Sequence, residues 1–420
     1  MQQKIAIVEP SAAGHQMIHA AAILSACCDA GIGSIVFLTT AEGLAHPSAE
    51  AVRAMREQRR FEIKLLAKRR QYAALAKLHP ALQQQFAYTD ALRAFFAEER
   101  YRTAYRHIFI PFFDAYALWP LGLLPISFSG IKVSGILHRM KFHLPKMNIV
   151  APVKPYARAE EYLCRWVLKR NDVTKLFTVD PFLADYLGNR KVAFLPDPAT
   201  FQPRSGRDAI RARLGIPEGA FVILVYGFVD KRKAIGPLLE ALARPEVPHR
   251  VCVVLAGVQT PEVRQHVNAP LGQSLIARGR LKSMDFFIPA EDEDDLFLAT
   301  DAAWVCYINS DGNSGVLVKS GRARRPVISA PTGIVGRLVK EKRLGWIADP
   351  HDTAAVARAL ADASQQETVR DEAAANIARA FEAHTMAHFI RPIVDHLASG
   401  DAGAPIVEAA TQAGAELSSY

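Results

Sequence analysis

Short apolar runs alternate with amphipathic stretches along the first half of the chain. Six of the apolar runs have the length of buried strands: Lys4–Pro10, Ser34–Thr40, Arg106–Phe112, Val133–Arg139, Lys175–Asp180 and Lys191–Pro198. Strands that alternate with helices form parallel sheets with helices on both faces. The first half therefore predicts a doubly wound α/β domain.

The same alternation begins again after residues 199–219, a polar segment that predicts a linker with a short helix. Five further strands are predicted: Phe221–Gly227, Arg250–Gly257, Asp285–Pro289, Ala302–Ile308 and Arg325–Ala330. Helices are predicted at Ala234–Ala243, in the stretch "DTAAVARALADA", and from about Asp371 to Leu397. Ligands of parallel sheets bind at the carboxyl ends of the strands, so two such domains predict a cleft between those ends.

These patterns divide the chain into four parts. We expect an N-terminal domain over residues 1–200 and a C-terminal domain over residues 201–380. Residues 381–398 are expected to form a helix that returns to the N-terminal domain. Residues 399–420 are small and polar, which is typical of a tail outside the packed domains.

Composition agrees with two domains in a reducing compartment. The 420 residues are too many for one core, and 50% hydrophobic with 22% charged residues is ordinary for a soluble protein. No run reaches the roughly 18 apolar residues of a membrane span, and the start of the chain lacks a signal-peptide pattern. The five cysteines lack metal-ligand spacing, which favours reduced core residues in a cytoplasmic protein: Cys27, Cys28, Cys164, Cys252 and Cys306.

Positive charge is concentrated between Arg53 and Lys77. This segment has nine Lys and Arg residues against Glu57 and Glu62, in a chain of net charge +9. Apolar residues recur among them, which predicts a basic amphipathic helix. Such a helix could rest on anionic lipid at the inner face of the cell membrane, or it could be a solvated helix face. Nucleic acid is not expected as a partner, because no nucleic-acid-binding motif accompanies the charge.

The stretch "SDGNSGVLVKSGRARRPVIS", from Ser310 to Ser329, predicts an anion site. Small residues precede about two helical turns, and a strand follows. The first turn of a helix leaves amide groups unpaired and carries a partial positive charge, so a phosphate can bind there.

Several motifs of the second half occur together in a known family. They cover roughly Phe221 to Leu360: "YGFVDKRKAIGPLLEAL", "LAG", "DLFLATDAAWVCYINSDGNSGVLVKSGRARRPVISAPTGIVGRLV" and "LGWIADPHDTAAVARAL". In order and spacing they resemble the donor-binding domain of GT-B glycosyltransferases, in particular the retaining family 4. The resemblance implies two Rossmann-like domains across a cleft, a nucleotide-diphospho-sugar donor held by the C-terminal domain, and no metal or other cofactor.

The resemblance also implies which residues of the second half contact the donor. Lys233, in "DKRK", would neutralise the diphosphate leaving group. Asp311 would contact the donor sugar. The remaining donor-site candidates follow a strand or open the short helix: Gly227, Asn313, Ser314, Gly315 and Lys319.

Two positions depart from the family pattern. Phe228 follows Gly227 where members commonly have arginine, and Lys319 occupies the position of a second glutamate. In the family that acid usually holds the ribose hydroxyls, and a lysine cannot accept those hydrogen bonds. Lys319 could instead add positive charge toward the phosphates or a carboxylated donor sugar.

The first half matches the family more loosely. Gly14 and His15, in "IVEPSAAGHQ", are similar to the first glycine loop, and they are expected to open a helix near the donor phosphates. His138, at the end of "VSGILH", resembles an active-site histidine that contacts the transferred sugar or assists the acceptor proton. Asp114 follows another predicted strand and is the acid we expect to orient the acceptor hydroxyl. Each could equally be an ordinary turn or core residue.

An apolar run from Ala117 to Phe128 contains two prolines, which argue against a regular buried helix. It could belong to the core, or it could form an acceptor face for a lipid-linked glycan.

The sequence therefore predicts a metal-independent glycosyltransferase that makes a polysaccharide or glycolipid, with net retention implied by the resemblance. A catalytically silent GT-B partner or glycan-binding protein remains an alternative, because Phe228 and Lys319 replace family residues. An inverting GT-B enzyme is a second alternative. The sequence leaves the donor nucleotide, the sugar and the acceptor open.

Overall fold

The computed structural model describes residues 3–11, 16–58, 61–67, 72–78, 80–99, 104–128, 130–152, 155–309 and 312–399. Within them the chain forms two separate sheets, and both are entirely parallel. The first has the order β3-β2-β1-β4-β5-β6-β7. Its strands are β1 Lys4–Val8, β2 Ser34–Thr39, β3 Glu62–Leu65, β4 Tyr105–Ile110, β5 Lys132–Leu137, β6 Val173–Thr178 and β7 Val192–Phe194.

Helices cover both faces of this sheet. They are α1 Gln16–Asp29, α2 Ala41–Ala45, α3 Glu50–Glu57, α4 Ala73–Leu78, α5 Pro80–Glu99, α6 Phe113–Tyr116, α7 Leu118–Leu123, α8 Ala157–Lys169 and α9 Pro181–Leu187. Short 3-10 helices occur at Pro47–Ala49 and Leu144–Met147. The central strands are buried on both faces, as expected for a parallel sheet between two helical layers.

The second sheet has the order β10-β9-β8-β11-β12-β13. Its strands are β8 Phe221–Tyr226, β9 Val251–Ala256, β10 Leu281–Met284, β11 Ala302–Val305, β12 Val327–Ser329 and β13 Gly345–Ile347. Its helices are α10 Arg207–Arg213, α11 Ile235–Leu242, α12 Pro261–Asn268, α13 Pro270–Ala277, α14 Ala290–Ala299, α15 Gly315–Arg322, α16 Gly333–Lys342, α17 Thr353–Gln365 and α18 Glu367–Ala380, with a 3-10 helix at Lys231–Lys233. The prediction of two doubly wound parallel domains is confirmed.

The last described helix, α19 Met386–Ala398, packs on the first sheet rather than on the second. Phe389, Ile393 and Leu397 recur every four residues on one face of α19 and are fully buried against α1 and the strands. The Arg106 guanidinium also donates to the Leu397 carbonyl oxygen at 2.7 Å. The chain therefore crosses from the first domain to the second and back again.

The two crossings lie side by side. The amide of Ala199, on the outward crossing, donates to the His384 carbonyl on the return crossing at 3.1 Å. The His384 Nδ1 atom lies 2.8 Å from the Asp197 carbonyl oxygen. A second bridge between the domains joins the Gly333 amide to the Val150 carbonyl at 2.8 Å.

Three element predictions are wrong. Residues 285–289 are not a strand: the edge strand is β10, and Phe286 and Phe287 lie beyond its end with 52% and 79% of their surface exposed. The basic segment from Arg53 to Lys77 is not one helix, because β3 pairs with β2 in its middle. The predicted long C-terminal helix is divided into α18 and α19, because the return crossing separates them.

We predict that Phe389→Ala lowers the free energy of unfolding by about 3 to 5 kcal/mol, because it removes a fully buried aromatic side chain and leaves a cavity. Urea denaturation measures the change. Arg391→Ala, on the exposed face of the same helix, is the control and should change stability by less than about 0.5 kcal/mol. Equal effects of the two substitutions would contradict the docking of α19.

Candidate active site

The carboxyl ends of the second sheet bring together the loop after β8, the loop after β11 and the first turn of α15. Gly227 ends β8 with φ at +91°, a conformation that other residues rarely adopt. A side chain on the neighbouring Gly257 would lie 2.0 Å from the Gly227 carbonyl oxygen. The two glycines let the main chain turn closely here, and the 3-10 helix that carries Lys233 follows.

Lys233 is a buried cation beside this turn. Its side chain is 7% exposed, and its ammonium group donates to the Tyr226 carbonyl. No carboxylate of the described residues forms an ion pair with it. Burial lowers the pKa of Lys233 from its usual 10.5 to about 8, while Asp230 opposes this change. An ammonium group that is held in this way favours an anionic ligand.

Tyr307 connects Lys233 to the first turn of α15. The Lys233 Nζ atom lies 5.7 Å from the centre of the Tyr307 ring, and the Tyr307 hydroxyl lies 3.4 Å from Ser314 Oγ. Burial raises the pKa of Tyr307 to about 12, so its hydroxyl remains neutral. Tyr307 falls within the predicted strand Ala302–Ile308, which did not indicate this role. The pattern that could have indicated its role is an aromatic residue two positions past the end of β11.

Ser314 caps α15, as its Oγ accepts a hydrogen bond from the Leu317 amide at 3.3 Å. No described residue accepts from the amides of Gly315 and Val316. A side chain at Gly315 would meet no atom within 4 Å, so open space lies in front of this helix end. Open amides, a helix dipole and the Lys233 ammonium together can bind a phosphate group.

Lys319 does not lie in this space. Its ammonium lies 2.7 Å from Asp294 Oδ1, 3.1 Å from Glu293 Oε2 and 2.8 Å from the Thr200 carbonyl oxygen. These three acceptors use the donors of the ammonium group. The expectation that Lys319 contacts the donor is therefore corrected: it joins α15 to α14 and to the crossing segment.

Two other residues of the loop, Asn313 and Asp311, were also predicted to contact the donor. Asn313 donates from Nδ2 to the Val179 carbonyl, at the end of β6 in the first domain. Its side chain therefore joins the two domains, in place of the expected donor contact. Asp311 lies outside the described residues. Phe228, which replaces the family arginine, is 58% exposed at the end of β8.

His138 lies directly after β5 at the carboxyl edge of the first sheet. Its ring stacks on Phe112 with 4.1 Å between centroids, and Nε2 lies 3.0 Å from the Pro111 carbonyl oxygen. Burial lowers the pKa of His138 to about 4, so the ring is neutral at pH 7. The Nε2 proton is donated to Pro111, which leaves Nδ1 as the acceptor nitrogen.

Asp114 positions His138. It is 7% exposed, and its Oδ1 and Oδ2 atoms accept from the amides of His138 and Arg139 at 3.0 and 2.9 Å. Burial raises the pKa of Asp114, although both amide hydrogen bonds oppose the change. The expectation that Asp114 orients an acceptor hydroxyl is therefore corrected, since its oxygens hold the end of β5. Gly14 and His15 lie outside the described residues, between Ser11 and Gln16.

The apolar run from Ala117 to Phe128 is divided between the core and the surface. Leu118, Leu121 and Phe128 are buried, whereas Leu123 and Leu124 are 55% and 44% exposed. With α8 the exposed part forms an open groove of about 750 Å³. Its lining residues are mainly apolar and aromatic: Trp119, Leu123, Leu124, Pro125, Tyr162 and Trp166, with Lys169 at the rim.

Two negative findings concern only the described part of the chain. No helix there has both the length and the apolar composition needed to cross a bilayer. No three His, Cys, Asp or Glu side chains there are grouped as a metal site.

Comparison with known proteins finds a family match within the second domain and a shared fold over most of the chain. Residues 206–380 match the family Glycosyl transferases group 1. A D-inositol 3-phosphate glycosyltransferase of Streptomyces scabiei is 33% identical over 175 residues, which are 39% of this chain and 37% of that protein. The chain thus aligns with less than half the length of this curated relative.

Solved structures resemble the whole chain. Anabaena Alr3699/HepE, in complex with UDP and glucose, has a TM-score of 0.60 at 16% identity, over 94% of this chain and all of that one. A glycosyltransferase from Rickettsia africae has a TM-score of 0.65 at 11% identity, over 96% of this chain and all of that one. At these identities the likeness shows the fold, which is GT-B.

We predict that Lys233→Met raises thermal stability at pH 7, because it removes a buried positive charge that pairs with no carboxylate of the described residues. The pKa of Lys233 is lower in the folded protein than in the unfolded chain, so the unfolded chain binds more protons between about pH 8 and 10.5. The melting temperature of the wild type should therefore approach that of Lys233→Met as pH rises through this window. Lys231→Met, at an exposed neighbour, is the control, and parallel curves for wild type and Lys233→Met would contradict the assignment.

Proposed function

We propose, on the premise that the second domain belongs to the family Glycosyl transferases group 1 within a GT-B fold, that this protein is a glycosyltransferase. It moves a sugar from a nucleotide-diphospho-sugar to a glycan or a lipid-linked acceptor in polysaccharide or glycolipid synthesis. The observation that carries the proposal is the buried Lys233 ammonium beside the open first turn of α15. Two features that favour an anion converge at the place where a parallel sheet binds its ligands.

The chemistry requires charge to be stabilised on the leaving group. The bond between the anomeric carbon and the diphosphate oxygen breaks, and its electron pair stays on the diphosphate. A bond forms between that carbon and the acceptor oxygen, and the acceptor proton passes to the departing diphosphate oxygen. Lys233 and the α15 amides meet the charge that develops, so we propose that no divalent cation is needed.

Retention of configuration is the stereochemistry that the family resemblance implies. The neutral His138 ring supports this proposal, because its acceptor nitrogen suits a sugar hydroxyl and its low pKa disfavours proton storage at neutral pH. Proton NMR of the first product, taken before mutarotation, would give the anomeric configuration. A product of inverted configuration would instead indicate an inverting GT-B enzyme.

A silent GT-B partner is the competing function. Phe228 and Lys319 favour it, because they remove an arginine and an acid that the family commonly has. Lys319 is neutralised by Glu293 and Asp294, so the lysine in place of the family glutamate adds no uncompensated positive charge near the site. The buried ammonium of Lys233 forms no ion pair with a carboxylate of the described residues, which supports a ligand-binding function.

We also propose peripheral contact with an anionic membrane through the groove between α7 and α8. Tryptophan and tyrosine favour the boundary between lipid and water, and Trp119, Tyr162 and Trp166 line this groove. The exposed Arg158 and Lys169 add positive charge on α8. The protein would then work at the inner face of the cell membrane on a lipid-linked acceptor.

Thermal shift with UDP, GDP, ADP, CMP and dTDP and their sugars tests the donor site. One nucleotide family at about 100 times its dissociation constant should stabilise the fold by roughly 2.7 kcal/mol. UDP is the first candidate, since the Anabaena protein was solved with UDP and with UDP-glucose. Lys233→Ala should lose the shift, Lys231→Ala should keep it, and EDTA should not change it. No shift with any ligand at millimolar concentration would favour the silent partner.

Vesicle co-sedimentation tests the membrane proposal. Binding to vesicles that contain anionic lipid should exceed binding to neutral vesicles and should fall with added salt. Leu123→Glu should weaken it, because a carboxylate is costly to bury among lipid. Val369→Glu, on α18 of the second domain, is the matched control and should bind normally. Equal binding by the two variants would contradict a role for the groove.

A further inference from the structure

Glu9 is a fully buried carboxyl group at the carboxyl end of β1. Its Oε1 atom accepts from the Ser11 amide at 3.1 Å and lies 2.9 Å from the Tyr116 hydroxyl oxygen. Its Oε2 atom is buried and has no hydrogen-bond partner among the residues that the structure describes. Neither the site chemistry nor the family resemblance uses this residue.

The hydrogen bonds of Glu9 and Tyr116 connect two separate points of the chain. Ser11 precedes residues 12–15, and Gln16, the first residue of α1, follows them. The Tyr116 hydroxyl lies 3.1 Å from Gln16 Oε1, while the Ser11 amide donates to Glu9. The pair therefore sets the distance between the end of β1 and the start of α1, at the edge of the sheet that faces the cleft.

Counting protons indicates which form of Glu9 fits this arrangement. The Tyr116 hydroxyl has one proton and lies between two oxygen acceptors, Glu9 Oε1 and Gln16 Oε1. If Glu9 carries a proton on Oε1, it donates to Tyr116, which then donates to Gln16. With the Gln16 amide oriented as in this structure, each of the two oxygen–oxygen contacts then contains a proton, and no ionic charge is left on the buried Oε2 atom.

The surroundings favour the same form. From α6, Tyr116 faces Glu9, and Asp114 of the same helix is occupied by the amides of His138 and Arg139. From α5, Tyr88 packs edge-on against Tyr116 at 5.0 Å. From α1, Gln16 is uncharged, and no cation of the described residues forms an ion pair with Glu9. Burial raises the pKa of Glu9 to about 8, against the opposing effect of its two hydrogen bonds.

We propose that protonated Glu9 is a positioning residue, which holds the start of α1 against β1 through Tyr116, and that ligand binding in the cleft weakens when Glu9 ionises. The ligand-binding part rests on the proposed function, whereas the positioning part does not. The two parts are therefore tested by separate measurements.

The positioning part is tested by stability and hydrogen exchange without ligand. The folded protein holds the Glu9 proton between about pH 4.5 and 8, whereas the unfolded chain releases it, so stability is lost as pH rises through this window. The melting temperature of Glu9→Gln should rise relative to wild type over the same range, as glutamine donates to Tyr116 at every pH. Glu57→Gln, at an exposed acid, should show no such trend.

Hydrogen exchange then locates the effect. After correction for the intrinsic pH dependence, amides of residues 20–24, which bond the carbonyls at the start of α1, should exchange faster in wild type at pH 9 than at pH 6.5. Glu9→Gln should abolish this difference, and Tyr116→Phe should show fast exchange at both values. The same pH difference in exchange for wild type and Glu9→Gln would overturn the proposal. Exchange protection in Tyr116→Phe equal to that of wild type would also overturn it. Either result is decisive even if the other variant folds poorly.

The ligand part is tested with UDP as the probe. Lys233 also loses its proton near pH 8, so the informative quantity is the ratio of the wild-type and Glu9→Gln dissociation constants. This ratio should rise about fivefold between pH 6.5 and 9, at the low end of couplings between linked sites. A constant ratio would overturn the coupling. Failure of both proteins to bind UDP or any other nucleotide would instead contradict the proposed function and leave the exchange test decisive for Glu9.

Discussion

The buried ammonium group of Lys233 is the constraint on which the second domain depends. A charge removed from water is costly unless another group replaces the lost solvation. Among the described residues the Tyr226 carbonyl and the Tyr307 ring lie against it without a carboxylate ion pair, and the glycine turn after β8 brings it to the sheet edge. The fold thus keeps a cation poorly solvated beside a helix end that also favours anions. An anionic ligand would relieve both, so the affinity that we propose would come from a local instability of the free protein.

In the first domain, a helix of one turn holds the carboxyl ends of the strands in place. α6 has four residues, and two of them hold different strand ends. Asp114 binds the amides after β5, whereas Tyr116 reaches the end of β1 and the start of α1. Helix α5 in turn holds α6 and α7 through Gln85 and Thr89, which bond main-chain atoms of Asp114 and Tyr116. The residues that face the cleft are therefore fixed by buried polar contacts beneath them.

The sequence predicted the parts of this structure that depend on local pattern. Apolar runs such as Val251–Ala256 are buried on both faces, so their length and composition identify parallel strands. The edge strands β3 and β10 were missed because they bury little: Glu62 pairs with Lys4, and Lys282 is exposed. The phosphate loop and the role of Lys233 were predicted from motif order, and they stay predictions.

The roles of Lys319, Asn313 and Asp114 depend on residues far away in the sequence, and no local pattern reveals those partners. Lys319 is neutralised by acids about 25 positions earlier in the chain, and Asn313 bonds a carbonyl of the other domain. Glu9 lies within the predicted strand Lys4–Pro10, and the local pattern gives no sign of its partner. Tyr116 lies 107 positions after Glu9 in the sequence. Only the packed structure shows that the two side chains are within hydrogen-bond distance.

The return of α19 to the first sheet has a consequence for biosynthesis. Ribosomes make the chain from its N-terminus, so Ile5, Ile7 and Phe37 emerge well before the helix whose Phe389 and Ile393 cover the same core. The second domain, which lies between them in sequence, can complete its own core first. Until α19 is made, the nascent first domain presents an apolar groove in the shape of that helix. The order of translation therefore makes the earliest residues the last to be fully packed, and gives chaperones a defined surface to protect.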